Sequence, residues 1–221
     1  MNPLTVLRDS LYFFRRNLAT IVQLCLPLVV LESVVKQLVD QAVGTDASPA
    51  YTVLVGLLFY PLYTAALILF LDARSEGRQP LKRDLLAMAV RLWPTFALLA
   101  MISTLLIMFG MSLFVLPGLW VMIKLVFAEY LLVLRGLTPL AAMRASFQLT
   151  QGHFMRILTC ILCVLAPLWL LDGVSMMVYP APQNPAMSLL LDSVSSFLQL
   201  FTSVVLFRLF MLVDDAVPDR A

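Results

Sequence analysis

The sequence predicts an all-α membrane protein, a bundle of about six transmembrane helices with short amphipathic helices at the membrane surface. One observation is composition, since 62% of the 221 residues are hydrophobic and only 13% are charged, against roughly half and a quarter in soluble domains. Another is that the apolar residues form several runs close to the roughly 20 residues that cross a bilayer. Such spans leave no room for a separate catalytic domain, so 1–221 is predicted to be a single membrane domain.

The apolar runs between polar breaks define six predicted spans in chain order. They are 18–39, 51–72, 94–116, 119–135, 155–178 and 188–212. The fourth is short, follows directly after Pro117-Gly118 and contains both Lys124 and Glu129. The third and fourth spans are therefore predicted to form a hairpin with its turn at Pro117-Gly118. This hairpin either crosses fully or is partly re-entrant.

Positive charge is concentrated in alternate segments between these spans. Of the 15 Lys and Arg residues, 13 lie before the first span, between the second and third, between the fourth and fifth, or towards the C-terminus. The remaining loops, near 40–50 and 179–187, contain Asp40 and Asp46 but no Lys or Arg. The positive-inside rule then predicts that both termini are cytoplasmic.

The chain also repeats part of its own pattern. Pro3-Leu-Thr-Val-Leu-Arg-Asp-Ser matches Pro139-Leu-Ala-Ala-Met-Arg-Ala-Ser at an offset of 136 residues, and Pro80-Leu81 is a weaker third start. Because proline is favoured at the first helical position, each start is predicted to open a surface helix that leads into two spans. The alternative is chance recurrence of Pro-Leu in a leucine-rich chain. The predicted parallel repeats are 3–73, 80–135 and 139–213.

Two repeated Arg/Ser pairs are candidates for binding lipid phosphates. Arg8 and Ser10 on the first surface helix correspond to Arg144 and Ser146 on the third. Arginine offers a planar fork of donors to phosphate oxygens and serine offers a hydroxyl. The same arginines could instead serve only to orient the chain in the membrane. The predicted partners are membrane phospholipids, with an envelope protein partner as the alternative.

Lys124 and Glu129 are the candidates for intramembrane chemistry. An ionisable side chain at membrane depth costs about 2.5 to 3.5 kcal/mol on insertion scales, so it marks a functional site by default. Five residues apart on a helix, the two side chains point about 140° from each other, so each is expected to meet a different partner. Glu129 is either a proton or cation site or a structural acid that locks helix packing. The alternative function for the chain is a small transporter or channel with Lys124 and Glu129 in an intramembrane pathway.

Several functional classes lack the residues they need. A net charge of +2 without a basic face argues against nucleic-acid binding. His153 is the single histidine, and no Gly-rich phosphate loop or hydrolase motif occurs. The pair Cys160 and Cys163 has apolar neighbours and is interpreted as packing. No catalytic residue, metal or cofactor is predicted, and the oligomeric state is left open.

The stretch 116–156 carries a resemblance to a known family. Residues 117–124 read Pro-Gly-Leu-Trp-Val-Met-Ile-Lys, and residues 136–154 read Gly-Leu-Thr-Pro-Leu-Ala-Ala-Met-Arg-Ala-Ser-Phe-Gln-Leu-Thr-Gln-Gly-His-Phe. This resembles the YciC family of bacterial inner-membrane proteins and, more distantly, the membrane domain attached to some glycerophosphodiester phosphodiesterases. The motif residues, interpreted as structural, are Pro117, Gly118, Gly136, Pro139 and Gly152.

The resemblance implies an integral membrane protein of the bacterial inner membrane. No catalytic residue carries over, because the phosphodiesterase activity belongs to a soluble domain that this chain lacks. Glu129 departs from the family pattern, which has an apolar residue or proline there. The surface helices and the Arg/Ser pairs favour a non-enzymatic role in envelope or lipid homeostasis. The soluble phosphodiesterase domain of those relatives acts on lipid-derived substrates, which favours the same role by analogy.

Overall fold

The computed structural model describes residues 3–43, 49–152, 154–178 and 185–214, and those residues form eight helices and no strand. The helices are α1 (Pro3–Val43), α2 (Pro49–Ser75), α3 (Lys82–Leu113), α4 (Val115–Leu125), α5 (Ala128–Arg135), α6 (Pro139–Leu149), α7 (Phe154–Val178) and α8 (Pro185–Asp214). His153, Arg220 and most of the two predicted loops without Lys or Arg lie outside the described residues.

The predicted spans coincide with helices. Among the described residues, four stretches are long and apolar enough to cross a bilayer, and they correspond to the first four predicted spans. These stretches are Val6–Val39, Val53–Ser75, Lys82–Leu113 and Val115–Arg135. The fifth and sixth predicted spans coincide with α7 and α8, which are 25 and 30 residues long. The chain is therefore an all-α, polytopic membrane bundle, as its sequence predicts.

The short surface helices are less separate than the sequence pattern predicts. α1 is continuous over 41 residues and α3 over 32, and each carries an internal proline, Pro27 or Pro94. Only the third predicted surface helix, α6, is a separate element in the described part of the chain. The physical reason is that an amphipathic pattern does not by itself end a helix. After α6, by contrast, Gly152 has the left-handed φ of +80°, which prevents the helix from continuing into α7.

The turn of the α3–α4 hairpin lies three residues before the predicted Pro117-Gly118 turn. Phe114 breaks the helix with φ −162° and ψ 155°, and its N–H donates to the carbonyl of Gly110. Pro117 instead lies in the first turn of α4, where an N–H would have no partner within the helix. The prediction of a turn at Pro117-Gly118 is wrong, because a proline this close to a helix start costs no hydrogen bond.

Gly118 serves close packing between α3 and α4. A Cβ atom added to Gly118 would lie 2.8 Å from the backbone nitrogen of Met111, and one added to Gly110 would lie 2.9 Å from the Cα of Gly118. The two helices therefore approach backbone to backbone, as small residues allow in membranes. The hairpin tip beyond them is apolar and open, with Phe114 76% exposed, which suits contact with lipid.

The buried core lies where α1, α2, α3, α5 and α8 meet. α1 packs against α2 and α8, α2 also packs against α3, and α5 packs against α6. Large side chains from different helices are fully buried there, among them Ile21, Leu67, Phe96 and Leu131. This arrangement places the ends of α2 and α8 beside the start of α1, and it places α5 beside α2.

Candidate functional site

A break interrupts the fourth span in its middle. α4 ends at Leu125 and α5 begins at Ala128. The hydroxyl of Ser146 on α6 bridges this break, because it donates to the carbonyl of Lys124 at 2.7 Å and accepts from the N–H of Phe127 at 3.2 Å. Backbone groups at membrane depth have no water to bond, so a side chain that satisfies both of them stabilises the break.

This contact separates the two members of the predicted Arg144/Ser146 pair. Ser146 is fully buried, at 0% exposure, and its hydroxyl is engaged by backbone groups. Arg144, two residues earlier, is exposed. The bridging role of Ser146 was not predicted from the sequence. The available signal is its position three residues after Met143, which places it on the apolar face of α6.

The predicted motif residues around α6 shape its connections. Gly136 ends α5 in the left-handed conformation, with φ +62°, and Pro139 occupies the first turn of α6. A left-handed residue after a helix is the usual place for glycine, since it has no Cβ to clash. The turn sends α6 back against α5 and α4, and this brings Ser146 to the break.

Lys124 lies against aromatic rings. Its ammonium is 5.9 Å from the ring centroid of Trp120 and 5.8 Å from that of Phe147, and the residue is buried. The faces of aromatic rings attract a cation, more strongly where water is excluded. Within the described part of the chain, no carboxylate lies within ion-pair distance of Lys124, so Lys124 and Glu129 have separate partners.

Glu129 connects α5 to α2. The hydroxyl of Tyr60 donates to both carboxylate oxygens of Glu129, at 2.9 Å each. The Tyr60 ring in turn packs edge-on against Tyr63 and Phe96, with ring centroids 5.7 and 6.2 Å apart. Sequence reasoning singled out Glu129 but not Tyr60. The signal that indicates Tyr60 is a tyrosine inside an apolar span. A buried phenol usually finds a hydrogen-bond partner, so such a residue points to a polar group on a neighbouring helix.

A second polar contact lies within α1, towards its C-terminal end. The Lys36 ammonium is 2.6 Å from the Glu32 carboxylate, one helical turn earlier, and Glu32 is buried. This is the stabilising order of an acidic and a basic residue four positions apart. The other carboxylate oxygen of Glu32 has no hydrogen-bond partner among the described residues.

A basic cavity lies between the start of α1 and the ends of α2 and α8, with a volume of about 650 Å³. We call it the basic cavity. Its polar lining includes Arg8, Asp9, Ser10, Arg74 and Arg208. Its apolar lining includes Leu71, Val204, Phe207 and Met211. The basic cavity thus joins three guanidinium groups to an apolar wall.

The charges of the basic cavity are only partly balanced from within. A nitrogen of the Arg208 guanidinium lies 3.8 Å from a carboxylate oxygen of Asp9, and Nε of Arg74 donates to the side-chain oxygen of Asn17 at 3.0 Å. Among the described residues that line the cavity, Asp9 is thus the single acidic one, against three arginines. An excess of positive charge remains on this surface.

Ser10 also lines the basic cavity and is 1% exposed. Its buried hydroxyl has no hydrogen-bond partner among the described residues. The structure therefore brings together Arg8 and Ser10, the first of the two predicted pairs. It adds Arg74 and Arg208, which sequence reasoning missed because they come from helices far along the chain.

The helices and these polar sites define the class of this protein, which is a polytopic α-helical membrane protein. The chain is similar to bacterial proteins named UPF0259 membrane protein. Those of Yersinia pestis (strain Pestoides F) and Yersinia pseudotuberculosis (serotype O:1b, strain IP 31758) are each 27% identical to it over 175 residues, which cover 79% of this chain and 67% of theirs. No protein-family model and no solved structure matches the sequence.

Proposed function

We propose that this chain is a non-enzymatic membrane protein of the YciC type that binds anionic phospholipid in the bacterial inner membrane. In this proposal both termini are cytoplasmic, and the protein acts in envelope or lipid homeostasis. The observation that carries it is the basic cavity, which Arg8, Arg74 and Arg208 line together with the buried Ser10 and an apolar wall.

The lining of the basic cavity suits a molecule with an anionic head and an apolar tail. Guanidinium groups form charge-assisted, often bidentate hydrogen bonds with phosphate oxygens. Phe207 and Met211 line the same cavity and offer apolar surface to the first part of an acyl chain. With the termini cytoplasmic, the cavity faces the cytoplasmic leaflet, whose anionic lipids attract basic residues.

Reversing the charge of Arg8 is expected to remove this lipid selectivity. We expect Arg8→Glu to lower the enrichment of anionic lipid by about tenfold, which corresponds to about 1.4 kcal/mol. The measurement is mass spectrometry of lipids and proteins extracted with the protein in native lipid discs. Arg144→Glu is the matched control, since it makes the same charge change at an exposed position on α6 outside the basic cavity.

Three results would count against lipid binding at the basic cavity. Equal losses in Arg8→Glu and Arg144→Glu would indicate general surface charge rather than a site. No enrichment of any anionic lipid in the unmodified protein would remove the proposal altogether. A stoichiometric envelope protein without lipid enrichment would make the chain a partner-binding membrane subunit instead.

A second candidate function is a small transporter or channel that uses Glu129. The observation that favours it is the carboxylate of Glu129, which lies inside the bundle with Tyr60 as its hydrogen-bond donor. A carboxylate at such depth is typical of proton and cation pathways. Lys124 lies beyond the helix break against Trp120 and Phe147, so Glu129 and Tyr60 form the pathway in this candidate.

This candidate predicts that Glu129→Gln abolishes proton or cation flux into reconstituted vesicles, while Tyr60→Phe reduces it. The amide keeps the shape of the side chain but cannot bind and release a proton. Glu76→Gln is the control, because Glu76 is an exposed residue just beyond the end of α2. Absence of flux in the unmodified protein, or unchanged flux in Glu129→Gln, would contradict a transport function.

A further inference from the structure

We propose that the basic cavity selects phosphomonoester headgroups, such as that of phosphatidate, over phosphodiester headgroups. This inference rests on the proposed function, since it names the class of anion that the same cavity takes. It is carried by the number and arrangement of the charges and donors that line the cavity.

The charge of the basic cavity favours a phosphomonoester. Asp9 lies 3.8 Å from Arg208 and offsets one of the three guanidinium charges, which leaves Arg8 and Arg74. A phosphomonoester carries about −1.5 to −2 charges near neutral pH, whereas a phosphodiester carries one. Two uncompensated guanidinium groups therefore match the charge of a monoester, and a diester would leave one of them without a counter-charge.

The basic cavity also supplies several hydrogen-bond donors. Nε of Arg74 donates to the side-chain oxygen of Asn17 at 3.0 Å. The two terminal nitrogens of that guanidinium bond to no other described residue, so they stay available to a ligand. Arg8 supplies a second fork. The buried hydroxyl of Ser10 adds a third donor group that has no partner among the described residues. Three donor groups suit the three terminal oxygens of a phosphomonoester, while a diester has two.

Ser10 also links the ligand to the protein without supporting the fold. A buried hydroxyl without a partner is destabilising, and a phosphate oxygen would relieve that cost. Because this hydroxyl makes no hydrogen bond to the described residues of the unliganded protein, removing it should not weaken the fold. Ser10→Ala therefore separates recognition of the ligand from stability.

The test compares two lipids that differ by one methyl group. The full-length protein is placed in phosphatidylcholine nanodiscs that contain a small fraction of either phosphatidate or phosphatidylmethanol, with identical acyl chains. Native mass spectrometry then counts the retained lipid. We expect phosphatidate to be retained about tenfold more than phosphatidylmethanol. Ser10→Ala and Arg74→Gln should each reduce this ratio, with thermal stability unchanged in Ser10→Ala, and Arg144→Gln should leave the ratio as it is.

Addition of glycerol 3-phosphate distinguishes two sources of the phosphomonoester, a lipid headgroup and a soluble molecule. Retention of phosphatidate in its presence supports a lipid ligand, because the apolar wall then contributes to binding. Displacement of phosphatidate supports the same phosphomonoester chemistry with a soluble ligand. Both results support selection of the monoester, and they assign its source.

Equal retention of phosphatidate and phosphatidylmethanol would overturn the selectivity while leaving anionic lipid binding intact. Retention of neither lipid would overturn both this inference and the proposed function. An unchanged selectivity in Ser10→Ala and Arg74→Gln would also overturn the inference that the basic cavity selects phosphomonoesters. The monoester would then bind elsewhere on the protein.

Discussion

Gly118→Ala is expected to destabilise the protein by about 1 to 3 kcal/mol, the range typical of an overpacked core. The added Cβ would lie 2.8 Å from the backbone nitrogen of Met111 and 2.4 Å from two atoms of its side chain. The side chain of Met111 can move away, but its backbone nitrogen belongs to α3. The hairpin must therefore open, and contacts along α3 and α4 are lost with it.

The measurement is unfolding of the purified protein in mixed micelles by titration with a denaturing detergent. Gly173→Ala is the matched control, since Gly173 also lies within a helix and an added Cβ there meets no atom of the described residues within 4 Å. This control is expected to be neutral or slightly stabilising, because alanine favours helix. Equal stability of the two variants would show that α3 and α4 do not approach so closely at Gly118.

Ser146→Ala is expected to cost about 2 to 4 kcal/mol, because it removes both hydrogen bonds that bridge the break between α4 and α5. Each buried backbone group left without a partner costs about 1 to 3 kcal/mol. The groups concerned are the carbonyl of Lys124 and the N–H of Phe127. A missing hydroxyl at full burial also leaves a small gap between α6 and the break.

Two measurements check the role of Ser146. Unfolding in mixed micelles should show the loss of stability, and hydrogen exchange should show faster exchange at the Phe127 amide. Ser112→Ala is the matched control, because the Ser112 hydroxyl is exposed and bonds only to the carbonyl of Phe109 on its own helix. Unchanged exchange at Phe127 in Ser146→Ala would contradict the bridging role.

The two candidate functional sites are separate in the fold, so their variants should act independently. Both involve α2, which carries Tyr60 and Arg74. These residues are 14 positions apart, or roughly 21 Å along a helix. Variants of Arg8 or Ser10 are therefore expected to leave a flux that depends on Glu129 unchanged, and Glu129→Gln is expected to leave lipid retention unchanged.

The course of the helices was largely predictable, whereas their ends were not. Hydropathy alone located the first four spans, because a bilayer admits a segment according to its length and apolarity. The break at Phe114 was placed three residues too late, because Pro117 is a helix breaker only inside a helix. The first surface helix runs without a break into its span in α1, since no stop signal separates them.

The sequence indicates candidate residues but not their partners. Arg8, Ser10 and Glu129 were singled out by residue type and position, since charges and repeats are visible in a sequence. Tyr60 and Arg208 were not, because each acquires its role from a neighbour on another helix.

The sequence by itself determined that this chain is a helical membrane protein, because apolarity and helical hydrogen bonding are properties of each segment alone. Only the tertiary structure decided where helices break and which polar groups meet. Ser146 satisfies a carbonyl 22 positions earlier, and Tyr60 donates to a carboxylate 69 positions away. Such contacts depend on how the helices pack, and no local pattern of residues encodes the distance between two side chains on different helices.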